Sequence, residues 1–162
     1  TVTARTPAQT RSDLHLHPVT ITPITGGSQA STSTGLADVT GSTMTFADTG
    51  WYELEYFIVH SAGATTTGAF YAVNTDGTMA MDYLTLCTAY DVLATDKSML
   101  CANGFNSNIS SSSSRGTTAV NRSLMSGTIH VTTAGGMLLR FATEVGASAI
   151  TITDLQGWYR NL

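Results

Sequence analysis

The alternating segment that follows Gly50 constrains the fold more than any other part of the sequence. Its large apolar side chains recur at every second position: Tyr52, Leu54, Tyr56 and Ile58. Side chains at alternate positions of a strand share one face of a sheet. Aromatic and β-branched residues are frequent here, and they disfavour a helix relative to a strand. We therefore predict a strand over residues 51–60 that buries its tyrosine-rich face.

Similar segments follow along the chain, and glycine-containing turns separate them. The predicted strands cover residues 43–47, 66–74, 79–90, 97–102, 124–133, 137–145, 148–154 and 157–161. Residues 103–118 include a run of serines and are predicted to form a long exposed loop. Eight or nine short strands with regular turns indicate an all-β protein, an antiparallel β-sandwich or jelly roll.

The first 35 residues differ from the rest of the chain. They contain all three prolines and no aromatic residue, so they cannot nucleate a core of their own. We predict an extended N-terminal arm over residues 1–35 and a single β-sandwich domain over residues 36–162.

The content of charged residues is unusually low. They make up 11% of the chain, against about 25% in a typical soluble domain, whereas threonine and serine together account for 45 of the 162 residues. A net charge of −4 argues against nucleic-acid binding, which needs a basic surface. No apolar run approaches the roughly 20 residues of a membrane span. A surface of hydroxyl and small apolar groups suits a protein that packs against other copies of itself.

The C-terminal third contains the predicted subunit contacts. In the strand over residues 137–145 the core face carries Met137, Leu139, Phe141, Thr143 and Val145, and the second face is half apolar with Arg140 and Glu144. That second face is typical of one covered by a partner subunit, across which Arg140 and Glu144 can pair. Trp158 and Tyr159 lie on opposite faces of the last strand. One is predicted to fill the core and the other to face a neighbouring subunit.

Evidence for catalysis or a bound cofactor is weak. The sequence lacks a nucleophile elbow, a phosphate-binding loop and a zinc-protease motif. Glu53 and Glu55 have a spacing that carboxylate pairs of glycosidases use, but a solvent-facing strip of a strand explains them more simply. We therefore predict a non-enzymatic protein without a cofactor.

Two further pairs of residues belong to types that can bind metals. His15 and His17 are weak metal candidates, because three such pairs in a trimer would offer six nitrogens; a solvated arm is the simpler interpretation. Cys87 and Cys101 match no zinc pattern and are expected to be two thiols.

Several segments resemble a family of bacteriophage virion proteins. Residues 126–152, SGTIHVTTAGGMLLRFATEVGASAITI, look like the closing strands of that family. The block over residues 43–50, the tyrosine-rich strand and residues 65–68 resemble its opening half. Residues 5–14 resemble a linker of phage fibre proteins. The final strand departs from the family pattern, because Gly-Trp-Tyr-Arg replaces a Gly-Ser-Tyr-Leu type of ending.

The resemblance implies a jelly-roll domain similar to those of C1q and tumour necrosis factor, which assemble as trimers around their C-terminal strands. The expected function is that of a homotrimeric virion structural protein. It would be a capsid decoration or cement protein that binds the major capsid protein shell through its arm. A gene of about this length favours that interpretation.

Two other functions remain open. One is a fibre or tail-tip domain that binds a host surface glycan or receptor, and the other is a glycan-active enzyme or lectin with no role in a virion. For either virion function the protein is expected on the capsid or fibre surface after assembly in the host cytoplasm. Neither nucleic acid nor membrane is an expected partner.

Overall fold

The structure is a computed structural model that describes residues 28–92, 96–107, 109–110, 117 and 121–162. Within these residues every regular element is a β-strand. Eleven strands follow one another: β1 (Gln29–Ser31), β2 (Ala37–Asp38), β3 (Met44–Phe46), β4 (Gly50–Ala62), β5 (Ala69–Thr75), β6 (Ala80–Val92), β7 (Asp96–Asn103), β8 (Ile109–Ser110), β9 (Asn121–Thr133), β10 (Gly135–Thr143) and β11 (Ile150–Asn161).

The strands form two antiparallel sheets. One has six strands in the order β1-β11-β4-β9-β6-β7. The other has five strands, with β2-β10-β5-β8 in order and β3 paired to β10. From β3 to β6, and again from β7 to β11, each strand lies in the opposite sheet from the strand before it. These repeated crossings hold the two sheets face to face.

A single hydrophobic core lies between the sheets. The predicted face of β4 is buried: Tyr52 is 5% exposed, and Leu54, Tyr56 and Ile58 are fully buried. From the opposite sheet β10 contributes its own buried side chains: Met137, Leu139, Phe141 and Thr143. The predicted all-β antiparallel sandwich is therefore confirmed, whereas the finer assignment to a C1q-like jelly roll stays a prediction.

The C-terminal region differs from the sequence-based prediction in two respects. The predicted strands 148–154 and 157–161 are one strand, β11, whose register to β4 shifts between Ile152 and Asp154. The shift acts as a bulge, which a strand accommodates without ending. Val145 was expected in the core but is 45% exposed, because β10 ends at Thr143.

The end of the predicted arm belongs to the sandwich. Residues Gln29–Ser31 form β1 and pair with β11 at the edge of the six-stranded sheet. Gln29 also bridges two positions near β2, because its side chain donates to the carbonyl of Asp38 and accepts from the amide of Thr40. The domain therefore begins before residue 36. The rest of the arm, residues 1–27, lies outside the described residues.

One glycine is required by the close approach of two strands. Gly127 lies in β9 opposite Leu86 of β6, and a Cβ atom at position 127 would overlap with the carbonyl oxygen of Thr85. This overlap involves backbone rather than the end of a flexible side chain. Any larger residue at position 127 would therefore have to push β6 and β9 apart.

Candidate functional site

The predicted interface residues Arg140 and Glu144 are both engaged within the chain. The Arg140 Nη1 donates to Asn106 Oδ1 at 2.7 Å, and Nη2 donates to the carbonyl of Leu36 at 2.8 Å. Arg140 Nε also lies 2.7 Å from a carboxylate oxygen of Asp38. Glu144 does not contribute to this cluster, since its carboxylate accepts from the amide of Gly68 at 3.1 Å.

The second face of β10, which was predicted to be covered by a partner subunit, is covered in part by other segments of the same chain. Ala142 of that face is fully buried in the single chain. Arg140 on the same face is held by residues around β2 and by the segment after β7. The residues seen to contact this second face of β10 therefore belong to the chain itself. A subunit contact through Arg140 and Glu144 stays a prediction.

The two aromatic residues near the C-terminus lie on opposite faces of β11, as predicted from strand geometry. Tyr159 points inward, where its ring packs 4.9 Å from that of Phe46 and its hydroxyl donates to the carbonyl of Thr45. Trp158 points away from the core and donates from Nε1 to Glu55 at 3.0 Å. Of the two, Trp158 is therefore the one on the outer face of the sheet, and its contact with a neighbouring subunit stays a prediction.

The glutamates of β4 also hold neighbouring side chains of β11. Arg160 Nε donates to Glu53 at 2.7 Å, and its guanidinium lies 6.0 Å from the ring centre of Trp158. Glu55 accepts the indole N–H of Trp158. Both carboxylates therefore have cross-strand partners, which is consistent with the interpretation of a structural strip.

The outer face of the six-stranded sheet, the one that points away from the core, exposes large apolar side chains. Trp51 is 44% exposed, Tyr83 is 46% exposed and Leu124 is 38% exposed. They are three of the five large hydrophobic side chains that the described residues expose. Exposed large apolar side chains that lie together are typical of a binding surface, and of these three Trp51 and Tyr83 are in contact.

Two regions of this outer face can be distinguished. The central patch consists of Phe57, Leu124 and Ala89, which lie opposite one another on β4, β9 and β6. The aromatic row consists of Trp51, His130 and Tyr83, which lie opposite one another on the same three strands. Six positions of β4 separate the two regions, a distance of about 20 Å along a strand.

The rings of the aromatic row contact one another. Trp51 stacks on His130 with a centroid distance of 4.6 Å and an interplanar angle of 25°. Its ring centre also lies 5.2 Å from that of Tyr83. The row ends at Asp82, whose Oδ1 lies within hydrogen-bond distance of His130 Nδ1, at 2.6 Å. No sequence pattern predicts this group, because its members are far apart along the chain.

A cleft adjoins the aromatic row at Tyr83. Its volume is about 340 Å³, and its lining residues come from β6 and from the end of β7: Met81, Asp82, Tyr83, Leu84, Thr85, Asn103 and Gly104. The pairing of β6 with β7 begins only at Thr85 and Asn103. Within the described residues, the preceding part of β6 therefore has no strand partner on the side of the cleft.

Cys87 and Cys101 form a disulfide, and the expectation of two thiols was wrong. The two residues lie opposite each other on β6 and β7, with their Cα atoms 4.0 Å apart. That short distance matches the closely spaced type of antiparallel pair. Residues fourteen apart reach this position only because the hairpin turns between them, which the spacing alone did not reveal.

A buried polar cluster lies at the end of β4. His60 is 3% exposed, and its Nδ1 is 3.0 Å from the hydroxyl of Tyr71. Its carbonyl accepts from the side chain of Asn121 at 3.2 Å. Burial lowers the pKa of His60 to about 4 and raises the pKa of Tyr71. His60 is therefore neutral at physiological pH and suited to structural hydrogen bonding.

The described residues contain no group of three or more His, Cys, Asp or Glu side chains that would hold a metal ion. The weak metal candidates His15 and His17 lie outside the part of the chain that the structure describes.

Comparison with known proteins does not place the chain in a family. No protein-family model matches it, and no curated protein matches it.

Among the described residues there is no helix of the length and apolar character needed to cross a membrane.

Proposed function

We propose that this chain is a non-enzymatic structural protein of a bacteriophage virion that assembles as a homotrimer on the virion surface. The more favoured role is that of a capsid decoration or cement protein, attached to the major capsid protein by the N-terminal arm. The phage assignment rests on the resemblance of residues 43–50, 65–68 and 126–152 to phage virion proteins. The trimer rests on the C1q-like domain that the resemblance implies.

The observation that carries the self-association is the outer face of the six-stranded sheet. Its central patch exposes Leu124 beside the half-buried Phe57. Trp158 lies on the same face and belongs to the C-terminal strand, around which such trimers assemble. Burying this face between copies would remove apolar surface from water at a gain of about 25 cal/mol per Å².

The low charge of the chain supports the same proposal. With charged residues at 11%, few like charges oppose the approach of identical subunits. Within the described residues, Glu53 and Arg160 of the outer face form an ion pair, which a second copy can cover without isolating either of these two charges.

Analytical ultracentrifugation at micromolar concentration tests the oligomer. We expect about three times the chain mass of 17.0 kDa. Leu124→Glu should release monomers, because it places a charge at the centre of the contact. Val145→Glu is the matched control, since Val145 is similarly exposed but lies beyond the end of β10. A monomeric wild-type protein contradicts the trimer, and a trimer unaffected by Leu124→Glu contradicts the proposed surface.

The virion role is tested by counting the chain in purified particles of the phage that encodes it. A decoration protein is expected in a copy number that scales with that of the major capsid protein. The second candidate, a fibre or tail-tip domain that binds a host glycan, would be present in only a few copies. The exposed aromatic row favours this second candidate. Absence of the chain from purified particles contradicts both roles.

A further inference from the structure

We propose that the aromatic row and the adjoining cleft form a binding site for an uncharged pyranose sugar. The proposal deepens the second candidate function, because it assigns the glycan contact to named residues. It does not depend on the oligomeric state or on the place of the protein in the virion. Its failure is therefore distinguishable from failure of the virion proposal.

The aromatic row supplies a platform on which a sugar ring can stack. A pyranose carries a face of C–H groups with partial positive charge, and an aromatic ring carries partial negative charge on its face. Trp51 and Tyr83 are each nearly half exposed, with ring centres 5.2 Å apart. His130 stacks on Trp51 at a centroid distance of 4.6 Å and so restrains the orientation of the indole ring. Because three paired strands carry these rings, little ordering is needed when a ligand binds.

Polar groups beside the platform can bind sugar hydroxyls. The side chain of Asp82 is 63% exposed, and one of its oxygens contacts His130. A carboxylate offers about four acceptor positions, so capacity remains for ligand hydroxyl groups. Thr85 Oγ1 donates to the hydroxyl of Tyr83 at 3.0 Å, which orients that hydroxyl at the mouth of the cleft. Asn103 adds an exposed amide on the opposite wall.

The cleft has the size and the free backbone that a small polar ligand requires. Its volume of about 340 Å³ lies at the lower end of the range of about 300–1,000 Å³ for ligand pockets. The part of β6 before Thr85 has no strand partner on this side within the described residues. The backbone donors and acceptors of this part that point away from β9 can therefore pair with hydroxyl groups of the ligand.

The charge of the cleft selects an uncharged sugar. Asp82 is the charged residue of its lining, and no Lys or Arg is among the lining residues. A sialic acid or a sulfated sugar would bring a second negative charge beside Asp82 without a basic group to balance it. We therefore expect neutral hexoses or N-acetylhexosamines to bind in preference to acidic sugars.

A second copy of the chain is a less suitable partner for the aromatic row and its cleft than it is for the central patch. The cores of protein interfaces are depleted in charged groups, whereas Asp82 is exposed beside the aromatic row. The surface here is also a concave cleft, and the central patch lies about 20 Å away along β4.

The test is a titration of the isotope-labelled full chain, followed by NMR amide shifts. The probes are lactose, N-acetyllactosamine, maltotriose and chitotriose, with 3′-sialyllactose as the acidic comparison. We expect saturable shifts with at least one neutral sugar, at dissociation constants of about 1 mM. The shifts should concentrate around Trp51, residues 82–85, Asn103 and His130.

Variants decide whether the named residues carry the binding. Trp51→Ala and Asp82→Asn should each weaken binding by about tenfold, as expected for loss of an aromatic contact or a charged acceptor. Val145→Glu is the control, because Val145 is similarly exposed but lies outside both the aromatic row and the proposed subunit contact. It should leave sugar affinity unchanged, and amide spectra of every variant should retain the dispersion of the folded protein.

Three results would overturn the proposal. They are the absence of saturation with every neutral sugar, preference for the sialylated sugar, and wild-type affinity in Trp51→Ala. If Trp51→Ala loses the oligomer while it keeps wild-type sugar affinity, the aromatic row is assigned to contact with a second copy.

Discussion

Lowering the pH should destabilise the fold through the buried imidazole of His60. Burial lowers the pKa of His60 to about 4, whereas an unfolded chain has the ordinary value of 6.5. The folded state therefore resists protonation that the unfolded state accepts. Stability from this group is fully present above pH 6.5 and is lost progressively as the pH falls towards 4, because the unfolded state then binds the additional proton.

The magnitude follows from the two pKa values. One pKa unit corresponds to about 1.4 kcal/mol, so the difference between 6.5 and about 4 corresponds to about 3 kcal/mol. A domain has a total stability of only about 5–15 kcal/mol. Protonation of this one side chain should therefore lower the melting temperature measurably.

The assay compares urea unfolding of the wild type and His60→Asn at several pH values between 7 and 4. An asparagine can retain a hydrogen bond to Tyr71 near the position of Nδ1 but does not titrate. The difference in unfolding free energy between the two proteins should change by about 3 kcal/mol across this range, since all other groups contribute equally to both. His130→Asn, which removes the half-buried imidazole of the aromatic row, is the comparison variant. If the free energy of unfolding changed with pH in parallel for the wild type and His60→Asn, the reasoning would be refuted.

Three further perturbations have expected outcomes. Gly127→Ala should lower the free energy of unfolding by about 1–3 kcal/mol or more, because the added Cβ overlaps with the backbone of β6. Gly35→Ala is the control and should change it little. Equal urea midpoints for the wild type and Gly127→Ala would contradict the close approach of β6 and β9. Replacing both Cys87 and Cys101 by serine should cost up to about 3 kcal/mol through loop entropy, as measured by urea unfolding with the reduced wild type as comparison. Deleting residues 1–35 should destabilise the sandwich more than deleting only the first 27, because the longer deletion removes β1; equal melting temperatures would show that β1 contributes nothing.

The strands that pack the core were predictable because their signal is local. The side chains of β4 alternate between more buried and less buried from Trp51 to Ile58, as the sequence pattern indicates. The predicted core face of β10 is buried up to Thr143. The opposite orientations of Trp158 and Tyr159 follow from the same geometry. The sequence does not predict whether Trp158 or Tyr159 points into the core, because that choice depends on the register of β11 against β4.

The candidate site was not predictable, because it joins residues that are distant along the chain. Trp51, Tyr83 and His130 each look like an ordinary strand residue in the sequence. They form one row only because β9 lies between β4 and β6 and aligns with both in register. The sequence separations between these aromatic residues do not predict the order of the strands in the sheet.

The sequence by itself determined the all-β class, the core faces of the long strands and the scarcity of charge. These properties depend on residue type and on the two-residue period of an extended backbone. Only the tertiary structure decided the Cys87–Cys101 disulfide, the partners of Arg140 and the aromatic row. Each of these depends on which strands are neighbours and in which register, and that is decided by packing the whole core rather than by any local stretch of sequence.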